Sequence, residues 1–151
     1  MNIETLPIDC TLPVAALSFD YGTRRIGVAF GQSVSATTKA ITVLKAKDGI
    51  PDWEEVGKLL QEWKPDCCVV GLPYNLDGSE NELLSRAIKF ANRINGRFNI
   101  KCYGMDERLS SKAAIEQVME DEHASKKKIT IDDIAAQIIL ENWFNEFNSR
   151  V

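Results

Sequence analysis

"VAALSFDYGTRRIGVAFG", residues 14–31, decides the fold class. Residues 14–19 form a short apolar run that delivers Asp20 at its end, and Gly22 marks a turn before a second strand over residues 25–31. Residues 40–46 alternate Ile41, Val43 and a smaller Ala46 around Thr42 and Lys45, which predicts a third strand after a short polar connection. Three strands this close in sequence predict an antiparallel meander.

Beyond residue 50 the pattern changes to alternating helices and strands. Asp52 and Glu55 fit an N-cap and its third-position partner for a helix that turns Val56, Leu59, Leu60 and Trp63 inward and stops before Pro65. Residues 67–72 read as a buried strand, and Ser79 with Glu82 reads as a capping box for a helix over residues 80–95. Leu84, Ala87, Ile88, Ala91 and Ile94 keep helical spacing there, with Gly96 as the expected stop. A strand over residues 100–105 again leads to acids, Asp106 and Glu107. A shorter helix is expected over residues 111–119, then a charged linker over 121–128 and a last helix burying Ile134, Ile138, Ile139 and Trp143. The order βββαβαβαα predicts an α/β domain: a mixed five-stranded sheet, antiparallel in its first half and parallel in its second, with helices on both faces.

The chain has 151 residues, of which 44% are hydrophobic and 26% charged, values that fit one soluble globular domain over residues 1–151. Residues 1–13 are expected to form a flexible or peripheral N-terminal segment. They carry Glu4 and Asp9 and lack the basic flank and apolar stretch of a signal peptide. No apolar run approaches the roughly 18 residues of a membrane span, so no membrane partner is expected. Cys10, Cys67, Cys68 and Cys102 show no CxxC spacing and read as reduced residues of a cytoplasmic protein. The single histidine, His123, excludes a multi-histidine zinc site and most histidine-centred triads. A formal charge of −4 argues against a uniformly basic nucleic-acid coat but leaves room for a local basic stripe.

Any acid–base or metal chemistry therefore rests on carboxylates. Asp20, Glu107 and Asp132, with Asp106 and Asp133 as neighbours, stand at strand ends and a helix start, the usual place for ligands in open α/β sheets. Clustered carboxylates repel one another unless a divalent cation compensates them, and magnesium prefers such oxygen donors. Two ions about 4 Å apart can activate a water and stabilise the leaving oxygen of a phosphodiester without a histidine. Spacing alone also admits the alternative of solvated surface acids and helix caps.

Four ordered segments, "LSFDYGTRRIGVAFG", "VVGLPYNLDGSE", "MDERLSS" and "IDDIAAQIILENWF", together resemble the YqgF-type family of RuvC-like nucleases over residues 17–144. The resemblance implies an RNase H-like fold. It also implies a metal-dependent nuclease that hydrolyses phosphodiesters, because members are described as Holliday-junction resolvases and as cytoplasmic nucleases maturing the 5′ end of precursor 16S ribosomal RNA. The RNA role is favoured, with the DNA resolvase as the alternative and a non-catalytic nucleic-acid-binding factor as a rival of another class. Carried over residue by residue, the family's acids fall on Asp20, Glu107 and Asp132, the implied ligands of Mg2+ or Mn2+. The linker "EDEHASKKKIT" departs from the family in holding no glycine. The implied partner is structured RNA, with branched DNA as the alternative, and the implied state is a monomer or weak homodimer.

Around these acids, Gly22 can let phosphate approach the backbone, and Arg24, Arg25 and Arg108 are candidate phosphate contacts; each also has an ordinary structural role open to it as turn, strand-edge charge or ion pair. Gly71 in "GLP" either admits substrate or is architectural. Arg86, Lys89, Arg93 and Arg97 recur at spacings of three, four and four, giving one basic helix face that either tracks a phosphate backbone or is solvated surface. Trp53, Trp63 and Trp143 read as packing. Thr130 and Asp133 spell a helix cap and its acid, which leaves Asp132, about 100° further round, free for another task.

Overall fold

The computed structural model describes residue 3 and residues 14–35, 37–75, 77–107 and 131–149, the last span with side chains from 134 to 146. The strands are β1 (Ala15–Asp20), β2 (Arg25–Gln32), β3 (Thr37–Lys47), β4 (Ile50–Pro51), β5 (Cys67–Leu72) and β6 (Cys102–Asp106). The helices are α1 (Trp53–Trp63), α2 (Glu82–Phe98) and α3 (Ile131–Ser149). They build one mixed sheet in the order β4-β3-β2-β1-β5-β6. The pairs β1–β2, β2–β3 and β3–β4 are antiparallel, while β1–β5 and β5–β6 are parallel.

The sheet has six strands among the described residues, one more than the sequence predicts, because Ile50 and Pro51 fold back on Ala46 and Lys47 as a two-residue edge strand. Proline is at home there, since an edge strand has no need of its missing N–H. β3 begins at Thr37, three residues before the expected start, through pairing with Gln32, Gly31 and Phe30 that alternation alone does not reveal. α2 is also displaced from its expected limits. Its N-cap is Asn81, whose oxygen accepts from the Leu84 N–H at 2.8 Å, whereas the Ser79 hydroxyl donates to Asp77 inside the preceding loop. At the other end the helix passes through Gly96 and stops at Phe98, with Asn99 in the left-handed conformation that asparagine tolerates. In α1 the Asp52 cap accepts from Glu54 rather than from the third helical position. The helix expected over residues 111–119 lies outside the described residues.

Strand parity divides the core into two layers. Leu17, Phe19, Cys68 and Val70 turn to α2 with Phe90, Ala91 and Ile94, and Val56 of α1 joins the same cluster. Ala16, Cys67, Val69, Tyr103 and Met105 turn the other way, to Ile139, Leu140, Trp143 and Phe144 of α3. α1 and α2 thus cover one face and α3 the other, as expected. Trp143 is fully buried, and Trp53 stacks on Phe90 while Trp63 packs on Phe30, which accounts for all three tryptophans as packing. Cys67, Cys68 and Cys102 are buried and free. Of the N-terminal segment only Ile3 is described, half-buried with its methyl group beside Gly104 of β6. No helix among the described residues is long and apolar enough to cross a membrane.

Candidate active site

The parity that builds the α3 layer also selects the acids. Ser18 faces α3, since its fully buried hydroxyl donates to the Ala136 carbonyl at 2.7 Å, and Asp20 is the next residue of β1 on that face. Gly71 follows Cys67 and Val69 on β5, and Glu107 follows Tyr103 and Met105 of β6. Register levels them: Phe19 pairs with Val70, and Gly71 pairs with Met105. Asp20, Gly71 and Glu107 therefore meet at one end of the sheet, on one face, across three adjacent parallel strands.

The carboxyl groups of Glu107 and Asp20 come within hydrogen-bonding reach of each other although β5 runs between their strands. The Glu107 side chain turns back across β5 at Gly71, where a Cβ would stand 2.9 Å from its carboxyl carbon and closer still to Oε1. Burial raises the Glu107 pKa above the ordinary carboxylate value; the Asp20 hydrogen bond draws it down, and the Asp106 charge pushes it up. Two ionised carboxyl groups this close repel each other, and a divalent cation between them would relieve that repulsion. The donors are hard oxygens, the set that suits Mg2+ or Mn2+ and not a thiophilic metal.

The third predicted ligand, Asp132, lies outside the described side chains, and no group of three or more metal-ligating side chains occurs among the described residues. Its backbone position is informative. The described part of α3 begins at Ile131, and Thr130, the expected cap, lies outside the described residues. At about 100° per residue, position 132 is within about 20° of positions 139 and 143, and position 133 within about 20° of 140 and 144. Ile139 lies over Gly71, its terminal methyl 2.5 Å from a Cβ built there, whereas Leu140 and Phe144 lie over Gly31 of β2. Position 132 thus shares a helical line with Ile139, and position 133 one with Leu140.

The candidate phosphate contacts are distributed unevenly. Gly22 closes the β1–β2 turn beside Asp20, where a Cβ would stand 2.5 Å from the Arg25 carbonyl oxygen. Arg24 and Arg25 are exposed on that turn and at the start of β2. The turn is fastened to the β3–β4 hairpin by N–H bonds from Ala46 to the Arg24 carbonyl and from Gly49 to the Thr23 carbonyl, both 2.8 Å. Arg108 lies outside the described residues. Arg86, Lys89, Arg93 and Arg97 do form one face of α2, but on the layer opposite the acids. There Arg86 pairs with Asp48 at 3.0 Å, and Arg97 stands 4.6 Å above the Trp53 ring.

Two features escaped the sequence reading. Ser18 is a hydroxyl inside an apolar strand, the visible mark of a buried hydrogen bond. The loop after β5 is a built frame: Asn81 donates to the Pro73 carbonyl at 2.7 Å and to Asn75 at 3.0 Å, while Asp77 accepts from both the N–H and the hydroxyl of Ser79. Its density of Asn, Asp, Gly and Ser was the available signal.

Comparison with known proteins supplies independent observations. A Haemophilus influenzae (strain PittGG) protein named "Putative pre-16S rRNA nuclease" is 48% identical over 132 residues, 87% of this chain and 95% of that one. Among solved structures, Thermus thermophilus RuvC bound to a Holliday junction substrate superposes with a TM-score of 0.55 at 16% identity, covering 90% of this chain and 94% of that one. The fowlpox virus Holliday junction resolvase superposes at 0.53 and 20% identity, covering 91% and 99%. These likenesses show a RuvC-like, RNase H-like fold. The family model RuvX, described as Holliday junction resolvase, matches residues 14–146, a span that runs from the strand carrying Asp20 into the last helix, and the chain belongs to that family.

Proposed function

We propose that the protein is a divalent-metal-dependent nuclease acting on precursor 16S ribosomal RNA in the cytoplasm, with Asp20, Glu107 and Asp132 as the acids of its site. The observation that carries this reading is the Asp20–Glu107 carboxyl pair, half-buried at the ends of parallel strands on the face covered by α3. A divalent ion held there supplies water activation and charge neutralisation at the phosphate. Asp20 and Glu107 would hold it from β1 and β6, and Asp132 from the first turn of α3, in phase with Ile139 over Gly71. Gly22 leaves the backbone open to a phosphate beside Asp20, while Arg24, Arg25 and Arg108 offer it guanidinium donors that match phosphate oxygens. The α2 stripe lies on the opposite layer of the sheet, away from the reacting phosphate.

The name shared by relatives of nearly equal length supports RNA. The family description and the RuvC-like fold support branched DNA as the second reading. Incubating the purified protein with precursor 16S RNA, a four-way DNA junction and plain duplexes, each with and without magnesium or manganese, separates them. Metal-dependent trimming of the RNA alone is the expected outcome. Resolution of the junction alone reassigns the substrate, and binding without cleavage overturns the enzymatic reading.

A further inference from the structure

We infer that Gly71 is the positioning residue of the site: its missing side chain is the opening through which Glu107 crosses β5 to reach Asp20. The inference rests on the reading of Asp20 and Glu107 as metal-holding acids. In the order β1-β5-β6 the two acids belong to strands that are not neighbours, about 10 Å apart at ordinary strand spacing. A side chain leaving the end of β6 can close that gap only by passing directly over the middle strand. On the α3 face the obstacle would be the side chain at position 71, because strand parity points it at the same space.

Glycine removes the obstacle. A Cβ built at Gly71 meets the Glu107 carboxyl carbon at 2.9 Å, with Oε1 nearer, and the Ile139 Cδ1 at 2.5 Å. Both lie under the 3.0 Å that real Cβ contacts essentially never breach, so something must move. Ile139 is packed between α3 and the sheet and 1% exposed, whereas Glu107 sits just beyond the last residue of β6. The carboxylate is the group that yields, and its displacement separates it from Asp20. Gly71 has no positive φ, unlike Gly49 and Gly78, so backbone conformation is not what requires glycine there.

Two collisions at one Cβ make the test separable. Ile139→Val deletes Cδ1 itself, so that of the three nearest atoms only those of Glu107 remain. Gly71→Ala is therefore made in the Ile139→Val background, with Glu107 and with Glu107→Ala, and each protein is measured for melting temperature and for Mn2+ binding by calorimetry. With Glu107 present, Gly71→Ala should lower the melting temperature and weaken Mn2+ binding about 10- to 100-fold, the range for residues that orient metal ligands. With Glu107→Ala the same substitution should leave the melting temperature nearly unchanged, a coupling between positions 71 and 107 that a merely structural glycine would not show. Additive stability effects together with full Mn2+ affinity overturn the inference. If Glu107→Gln binds Mn2+ and cleaves like the wild type, the metal-site reading fails instead, and the coupling between 71 and 107 still reports on the crossing itself.

Discussion

Ser18→Ala tests how α3 is held against β1. The Ser18 hydroxyl is fully buried and donates to the Ala136 carbonyl at 2.7 Å, joining residues 118 apart in sequence. Removing it deletes one neutral hydrogen bond worth roughly 0.5–1.5 kcal/mol net. The Ala136 carbonyl keeps its helical partner, so it is not orphaned, and the space opened is a single oxygen too small to add a large cavity cost. The expected loss is about 1 kcal/mol, or about 2–4 °C in melting temperature for a chain of this size. Ser18→Val adds a methyl group as well as deleting the donor and should cost about 1–3 kcal/mol more through overpacking. Urea unfolding followed by circular dichroism measures both, with the midpoint shifting at unchanged slope. Position 136 lies one helical turn beyond position 132, so both variants should also slow cleavage, Val more than Ala. If Ser18→Ala is as stable as the wild type, the bond is not a tether and the account of how α3 is placed over the acids is wrong.

Asp132→Asn should abolish metal-dependent cleavage with little change in melting temperature, whereas Asp133→Asn should cost about 0.5–1 kcal/mol of stability through the lost capping contact and keep activity; the reverse pattern moves the third acid by one residue. Neutralising Lys89 and Arg93 on the far side of the sheet should leave the salt dependence of RNA binding unchanged. A slope reduced by about 0.7 for each residue would put α2 on the substrate. Burial pushes the Cys67 thiol up to about 12, so the folded state keeps its proton where the unfolded chain loses it. Stability should hold below the ordinary thiol pKa and fall as pH rises from there toward about 12, and Cys67→Ala should flatten that decline; an identical decline in the variant would show that other groups cause it.

The mixed sheet was legible because its two halves write different patterns: closely spaced strands before residue 50, and helix–strand alternation after it. Asp20 and Glu107 were legible for the same reason, since each follows an apolar run at the end of which side chains leave the sheet. What brings them together was not. The crossing at Gly71 depends on three strands being neighbours in the order β1-β5-β6, and a glycine in a strand carries no mark of which side chain needs its space. The limits of α2 were misplaced because Ser79 and Asn81 are both good caps. Only the Asp77 carboxylate, which engages Ser79, decides between them. The basic stripe was visible as periodicity, but the layer it faces is a property of the sheet and not of the helix.

The central claim is that the half-buried Asp20–Glu107 carboxyl pair holds the metal for RNA cleavage. Asp20→Asn alters one carboxyl oxygen to an amide and leaves the rest of the side chain in place, so its most direct test is cleavage of precursor 16S RNA in Mg2+ or Mn2+ by this variant beside the wild type. Circular dichroism of both proteins verifies the fold. The account predicts an unchanged spectrum with cleavage reduced at least about a hundredfold, the loss of two or more factors of ten that follows from about 2.7 kcal/mol of lost transition-state stabilisation. Wild-type cleavage by a folded Asp20→Asn protein would contradict it.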